Sequence, residues 1–167
     1  TQQANRWIKM EQWDACGGQV DLDALRGQTC YGGLDLGATS DLTSLCLNFV
    51  REGIYTFLWW NWIPEVKARE MEKKYSIPYS AWERLGFIKL TDGNEIDYDV
   101  IRADINIIAG DYGIEKMGVD RVFQGAQLCQ QLIKDGMIVE QINMSWFFFT
   151  APTREFERRV NAVGLTE

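Results

Sequence analysis

The sequence has no histidine. That excludes a Ser-His-Asp triad, a Cys-His dyad and any histidine-ligated zinc centre. Its four cysteines, Cys16, Cys30, Cys46 and Cys129, stand far apart without a CxxC pair. They argue against a structural zinc and read as reduced thiols that fill space. Fifteen glycines and three prolines in 167 residues are too few for a low-complexity or disordered polymer. No apolar run approaches the roughly 18 residues of a membrane span; the longest, 54–63 and 146–149, are strand-sized. No GxxxxGK[ST] occurs, so the chain carries no P-loop ATP site. The opening residues, TQQANRWIKMEQ, lack an initiator Met and the basic-then-apolar pattern of a signal peptide. The expectation is a piece of a larger soluble protein.

What is present can fold. The composition is 46% hydrophobic with seven Trp, enough to bury a core at about the length of one domain. Acids outnumber bases 24 to 17, a net charge of −7. That balance argues against a passive nucleic-acid binder, which is normally basic. It leaves room for an enzyme that reaches phosphates through metal ions.

Residues 1–29 read as a lead-in, with a short helix at 21–25. Beyond them the texture turns to strands: 31–36 (YGGLDL), 42–50 (LTSLCLNFV) and 54–63 (IYTFLWWNWI), the last two joined by a hairpin-length loop, Arg51-Glu52-Gly53. Pro64 and the acids after it predict a helix over 64–74, and Pro78 closes it before a second short helix at 79–85. A strand follows at 87–90. The helix over 97–111 places Val100, Ile101, Ile105, Ile108 and Ala109 on one face. A strand at 116–119 ends in Asp120. A helix at 124–134 turns Leu128, Leu132 and Ile133 inward and stops at Gly136. The last elements are a strand at 137–139 and a charged helix at 152–160; the aromatic run 146–149 reads as core or interface. The order implies an α/β fold: a mixed sheet of three antiparallel strands followed by parallel ones, flanked by helices.

Two carboxylates stand out. Asp35 lies between Leu34 and Leu36 at the end of the first strand, within GGLDLGATSD. A carboxylate inside an apolar strand is costly unless something compensates it; it either caps the turn or ligates a metal. Asp120 repeats the pattern in GVDR, as a helix cap or a second metal ligand. In open α/β sheets ligands bind at the carboxyl ends of strands. If these two strands are parallel neighbours, their carboxylates share an edge and favour a divalent cation. Asp41 reads as a turn cap, or as an acid standing behind the ligands. Arg121, Lys134, Arg154, Arg158 and Arg159 are candidate DNA-phosphate contacts, although exposed helix charges are ordinarily just solvated.

The segments GGLDLGATSDLTSL, IPYSAWERLGFIKLTDGNEIDYDVI, GVDRVFQGAQLCQQL and TAPTREFERRV, in this order, resemble the nuclease domain of the large terminase subunit of tailed bacteriophages, in the HK97-like branch. The resemblance implies an RNase H-like fold over 30–167, with 1–29 as the linker from an ATPase motor that lies upstream in the full protein. It implies metal-dependent cutting of concatemeric double-stranded DNA during packaging in the host cytoplasm, and no membrane. The implied partners are the terminase small subunit, the portal and the ATPase domain. Its two acids map to Asp35 and Asp120. The implied chemistry is two-ion hydrolysis with Mg²⁺ or Mn²⁺, one ion activating water and the other stabilising the leaving 3′ oxygen. The family's third acid, in a late segment resembling IDGIVAL, has no counterpart in these residues, and the join at Val160-Asn161 is shorter than the resemblance leads one to expect.

Two other readings stand beside it. LDLGATSDLT also resembles the phosphate-binding hairpin of actin/hexokinase-type phosphotransferases, which need two lobes and more than twice this length. A non-catalytic module docking to the packaging motor would fit the acidic balance and the missing third acid.

Overall fold

The computed structural model describes residues 6–37, 42–120 and 125–163. Among them are seven helices and six strands: α1 (Met10–Ala15), α2 (Leu22–Leu25), β1 (Thr29–Asp35), β2 (Thr43–Arg51), β3 (Ile54–Pro64), α3 (Glu65–Tyr75), α4 (Tyr79–Arg84), β4 (Lys89–Thr91), α5 (Tyr98–Asp111), β5 (Gly113–Asp120), α6 (Ala126–Lys134), β6 (Val139–Ile142) and α7 (Trp146–Val163). The strands form one sheet in the order β4-β3-β2-β1-β5-β6. As the alternating pattern predicts, β1, β2 and β3 run antiparallel. Strands β5 and β6 continue the sheet parallel to β1, and β4 lies parallel to β3.

The β2–β3 hairpin fixes half of the register. Glu52 (φ 50°) and Gly53 (φ 82°) are both left-handed, the backbone of a two-residue turn whose twist matches its strands. Arg51 therefore faces Ile54, and the ladder runs back to Thr43 opposite Trp62. Residues alternate between faces along each strand. Thr43, Leu45, Leu47 and Phe49 are buried on one face with Leu34, Met117 and Val119. Ile101, Ile105 and Ile108 of α5 and Leu128 and Leu132 of α6 complete this core. A smaller cluster of Ile63, Ala68, Tyr79 and Ile88 seats α3 and α4.

Helix α5 starts one residue later than the apolar pattern suggests because Asp97 is its cap. Its carboxylate accepts hydrogen bonds from the backbone N–H of Asp99 (3.1 Å) and Val100 (3.0 Å), satisfying two donors that the helix leaves orphaned. Gly136, at φ 98°, ends α6 as expected. Ile133 does not turn inward; it is 52% exposed, and the inward stripe is Leu128 with Leu132. The last strand is displaced to Val139–Ile142. The final helix begins at Trp146 and carries Pro152 inside it, so the proline marks an interior position at the loss of one backbone hydrogen bond, and not the start. The aromatic run is thereby the first part of that helix, and Trp146 and Phe147 are 86% and 91% exposed, so they are not core.

The chain forms two compact units. Leu22–Ile142 holds the whole sheet with α2–α6. The other unit combines the residues up to Asp21 with those from Asn143 on. Within it, α1 lies against α7: the rings of Trp7 and Trp13 approach Phe156 at 6.2 and 6.4 Å. Cys16 Sγ reaches the Val160 carbonyl at 3.9 Å.

Candidate functional site

β1 and β5 are adjacent and parallel, with Leu34 opposite Val119 as their last registered pair. Both of those side chains are buried, at 3% and 1% exposure, against the helices that cover one face. The next residue on each strand is Asp35 and Asp120, and alternation turns both carboxylates to the other face. Asp35 is exposed and Asp120 half-buried. Neighbouring strands lie about 4.8 Å apart, so the two acids leave the sheet from adjacent positions at the same carboxyl edge.

The row extends sideways. Asp35 pairs with Ser44 of β2, and Ser44 pairs with Asn61 of β3. Ser44 Oγ donates to Asn61 Oδ1 at 2.7 Å, and Asn61 Nδ2 donates to the Phe87 carbonyl at 3.0 Å. The alternation of LTSLCLNFV gave no reason to single out Ser44. The hairpin turn held the signal, since a two-residue loop at Glu52-Gly53 dictates that Ser44 faces Asn61.

The described residues flanking the acids are anchored. The Gly37 N–H donates to Thr43 Oγ1 at 3.2 Å, and Thr43 is 1% exposed. This bond ties the residues after Asp35 to the start of β2. Leu36, 4% exposed, presses on Gly125 at the head of α6, where a Cβ would overlap Leu36 Cδ1. One row behind the acids, Gly33 leaves open space over the sheet.

The donors at this edge are all oxygens: two carboxylates with the Ser44 hydroxyl beside them. Carboxylate and hydroxyl oxygens suit Mg²⁺ or Mn²⁺ better than softer metals, so the chemistry of the donors present fits a divalent cation, which Asp35 and Asp120 would hold. Among the described residues, no group of three or more Asp, Glu, Cys or His side chains converges on one point. Two of the thiols are poorly suited to a metal: burial pushes Cys30 up to about 11 and Cys46 up to about 12.

The remaining candidates fare differently. The acid Asp41 and the basic Arg121 lie outside the described residues. Lys134 ends α6, the crossover helix that starts near Asp120 and runs back to the opposite edge of the sheet, where β6 begins. The structure therefore does not bring Lys134 to the carboxylates. Arg154, Arg158 and Arg159 sit on α7, in the other compact unit. Arg158 and Arg159 pair with Glu155 at 2.8 and 2.7 Å. Their guanidiniums, Arg158 foremost by hydrogen bonding, hold the Glu155 carboxyl down at about 2. Those two arginines are engaged within their own helix.

Three comparisons with known proteins agree. A family described as the endonuclease domain of the terminase large subunit matches residues 1–149. The chain is 33% identical over 116 residues to the terminase large subunit of Enterobacteria phage HK97, across 69% of this chain and 22% of that protein. It is also similar to the crystal structure of the HK97 bacteriophage large terminase, with a TM-score of 0.82 at 25% identity over 95% of this chain and 33% of that one. The chain thus spans a third or less of the length of the relatives it matches.

Proposed function

Because the chain belongs to the family of terminase large-subunit endonuclease domains, we propose that it is the metal-dependent DNA-cutting module of a phage packaging enzyme, with Asp35 and Asp120 as its metal-holding acids. The observation that carries this reading is their position: two carboxylates one residue beyond the Leu34–Val119 pair of adjacent parallel strands. Like charges at neighbouring positions repel each other, and a divalent cation relieves that repulsion. Bound there, Mg²⁺ or Mn²⁺ would supply water activation and neutralise charge building on the phosphate.

The chain's own residues hold and orient. The Gly37–Thr43 bond holds the residues just after Asp35 to the start of β2, and the Leu36–Gly125 contact seats the head of α6 beside them. The glycine behind Asp35 lets a phosphodiester backbone approach the sheet closely. In this proposal the substrate is concatemeric double-stranded DNA. The setting is the cytoplasm of the infected host, with the small subunit, the portal and an ATPase motor as partners. Two ions would share the work, with a third acid completing their ligands.

Nicking of supercoiled plasmid tests the reading. The chain with Mg²⁺ or Mn²⁺ converts supercoiled to open-circular DNA, and EDTA stops it. Asp35→Asn and Asp120→Asn each lower the rate at least about 100-fold, since several kcal/mol of charge stabilisation go with the ligand and each ~1.4 kcal/mol is tenfold. Nicking by either variant at the wild-type rate overturns it.

A further inference from the structure

The row that begins at the two acids runs on to an aromatic wall. From Asp35 it passes through Ser44 to Asn61, two strand spacings away, or roughly 10 Å. Trp59 precedes Asn61 by two residues on β3 and shares its face; it is 57% exposed. Phe87, whose carbonyl accepts from Asn61 Nδ2, is 60% exposed. With Lys89, Asp104 and Ile107 these residues line a cleft of about 500 Å³ along the edge of β3.

Both aromatics stand on anchored backbone. Trp59 is held in the β2–β3 ladder opposite Cys46, and the Phe87 N–H donates to the Trp82 carbonyl at 2.9 Å. Asn61 is clamped from both sides by Ser44 and Phe87, leaving its second amide hydrogen to offer. Lys89 is engaged by both carboxylate oxygens of Asp104 at 2.8 Å, so the cleft does not draw phosphates by free charge. Between Asp35 and Trp59 the floor is low: Gly33 and Cys46 occupy the intervening row, and nothing stands over Gly33.

Exposed aromatics on anchored backbone beside a hydrogen-bonded amide, continuous with the proposed phosphate-cutting edge, have the chemistry of a platform for unpaired bases. Resting on the nuclease reading above, we propose that Trp59 and Phe87 stack on bases of one DNA strand a few nucleotides from the phosphate at Asp35 and Asp120, with Asn61 donating to its sugar-phosphate backbone. Stacking tolerates any sequence because every base has a π-face. It also suits a chain whose negative charge gives it little general pull on DNA.

The test uses this chain in an Asp35→Asn background, which cannot cut, with a 20-residue oligothymidylate and a blunt duplex of equal length as probes. Oligothymidylate quenches tryptophan fluorescence and binds more tightly than the duplex. Trp59→Ala or Phe87→Ala weakens that binding about 5- to 150-fold, and Trp59→Phe restores most of it. With Asp35 intact, Trp59→Ala raises the KM for cutting while kcat stays within about threefold. The proposal is overturned if both alanine variants bind oligothymidylate as tightly as their parent and keep its KM, the outcome expected if this wall contacts another protein. If the wild type cuts, Asp35→Asn does not, and the aromatic variants are silent, this inference fails and the nuclease reading stands. If oligothymidylate binding depends on Trp59 but no metal-dependent cutting occurs, the strand platform stands and the nuclease reading fails.

Discussion

Asp35 and Asp120 each follow the last registered pair of two adjacent parallel strands, Leu34 opposite Val119. The burial of that pair dictates where the acids go. With Leu34 and Val119 locked into the helix-covered face, the residue after each must turn to the other side. Two like charges side by side repel, and a cation relieves the repulsion. Asp120→Asn is therefore expected to melt no lower than the wild type in EDTA, while millimolar Mn²⁺ raises the wild-type Tm and leaves the variant's unchanged. Equal Mn²⁺ stabilisation of both would contradict the arrangement.

Two glycines predict opposite outcomes for the same substitution. Gly125 backs onto buried Leu36, so Gly125→Ala forces Leu36 aside and costs about 1–3 kcal/mol. Gly110, inside α5 with open space around it, gains about 0.5–1 kcal/mol on Gly110→Ala. Urea unfolding of the two variants reads both signs. Equal effects of one sign would show that the Leu36–Gly125 contact does not constrain the head of α6.

The Asp135 carboxyl is held at about 2, chiefly by hydrogen bonds from Arg102 and then Asn106. Its folded value is depressed, so the stability it contributes is present above an ordinary Asp value near 4 and is lost as pH falls from there towards 2. Arg102→Met should therefore melt slightly lower than the wild type at pH 6, with the gap closing by pH 2. The pair sits at the surface, so the gap is small. A gap that persists undiminished at pH 2 would assign it to lost packing of the Arg102 side chain.

The cysteines should differ in reactivity. Cys16 is exposed, whereas Cys30 is fully buried with its thiol pushed up to about 11. Iodoacetamide is expected to label Cys16 in the native protein and Cys30 only after unfolding, read by mass spectrometry of the peptides. Native labelling of Cys30 would mean that the β1 core opens readily.

Much of this was legible in the sequence because alternation and turn chemistry act locally. The three antiparallel strands follow from period-two apolar runs around Arg51-Glu52-Gly53, and α5 from its buried Ile101, Ile105 and Ile108. The neighbouring of Asp35 and Asp120 needed one more fact, that β5 lies beside β1 and parallel to it; both ends could be read, their adjacency only supposed. Where reading failed, local signals competed with tertiary ones. Pro152 looked like a helix start, yet α7 runs through it. Ile133 fits an apolar stripe by type, yet the crossover buries only Leu128 and Leu132. Ser44 and Asn61 are ordinary polar residues in strands, and their role at the acid edge emerges only from the ladder that pairs them.

The central claim is that Asp35 and Asp120 form one cation site, and Mn²⁺ binding followed by electron paramagnetic resonance tests it most directly. The wild-type chain, each single Asn variant and the double variant are titrated in parallel. The account predicts that each single variant weakens binding at least about tenfold. It predicts further that the double variant is scarcely worse than either single, because the two losses fall on one shared site and do not add. Wild-type affinity in either single variant, or losses that add as for two separate sites, would contradict it.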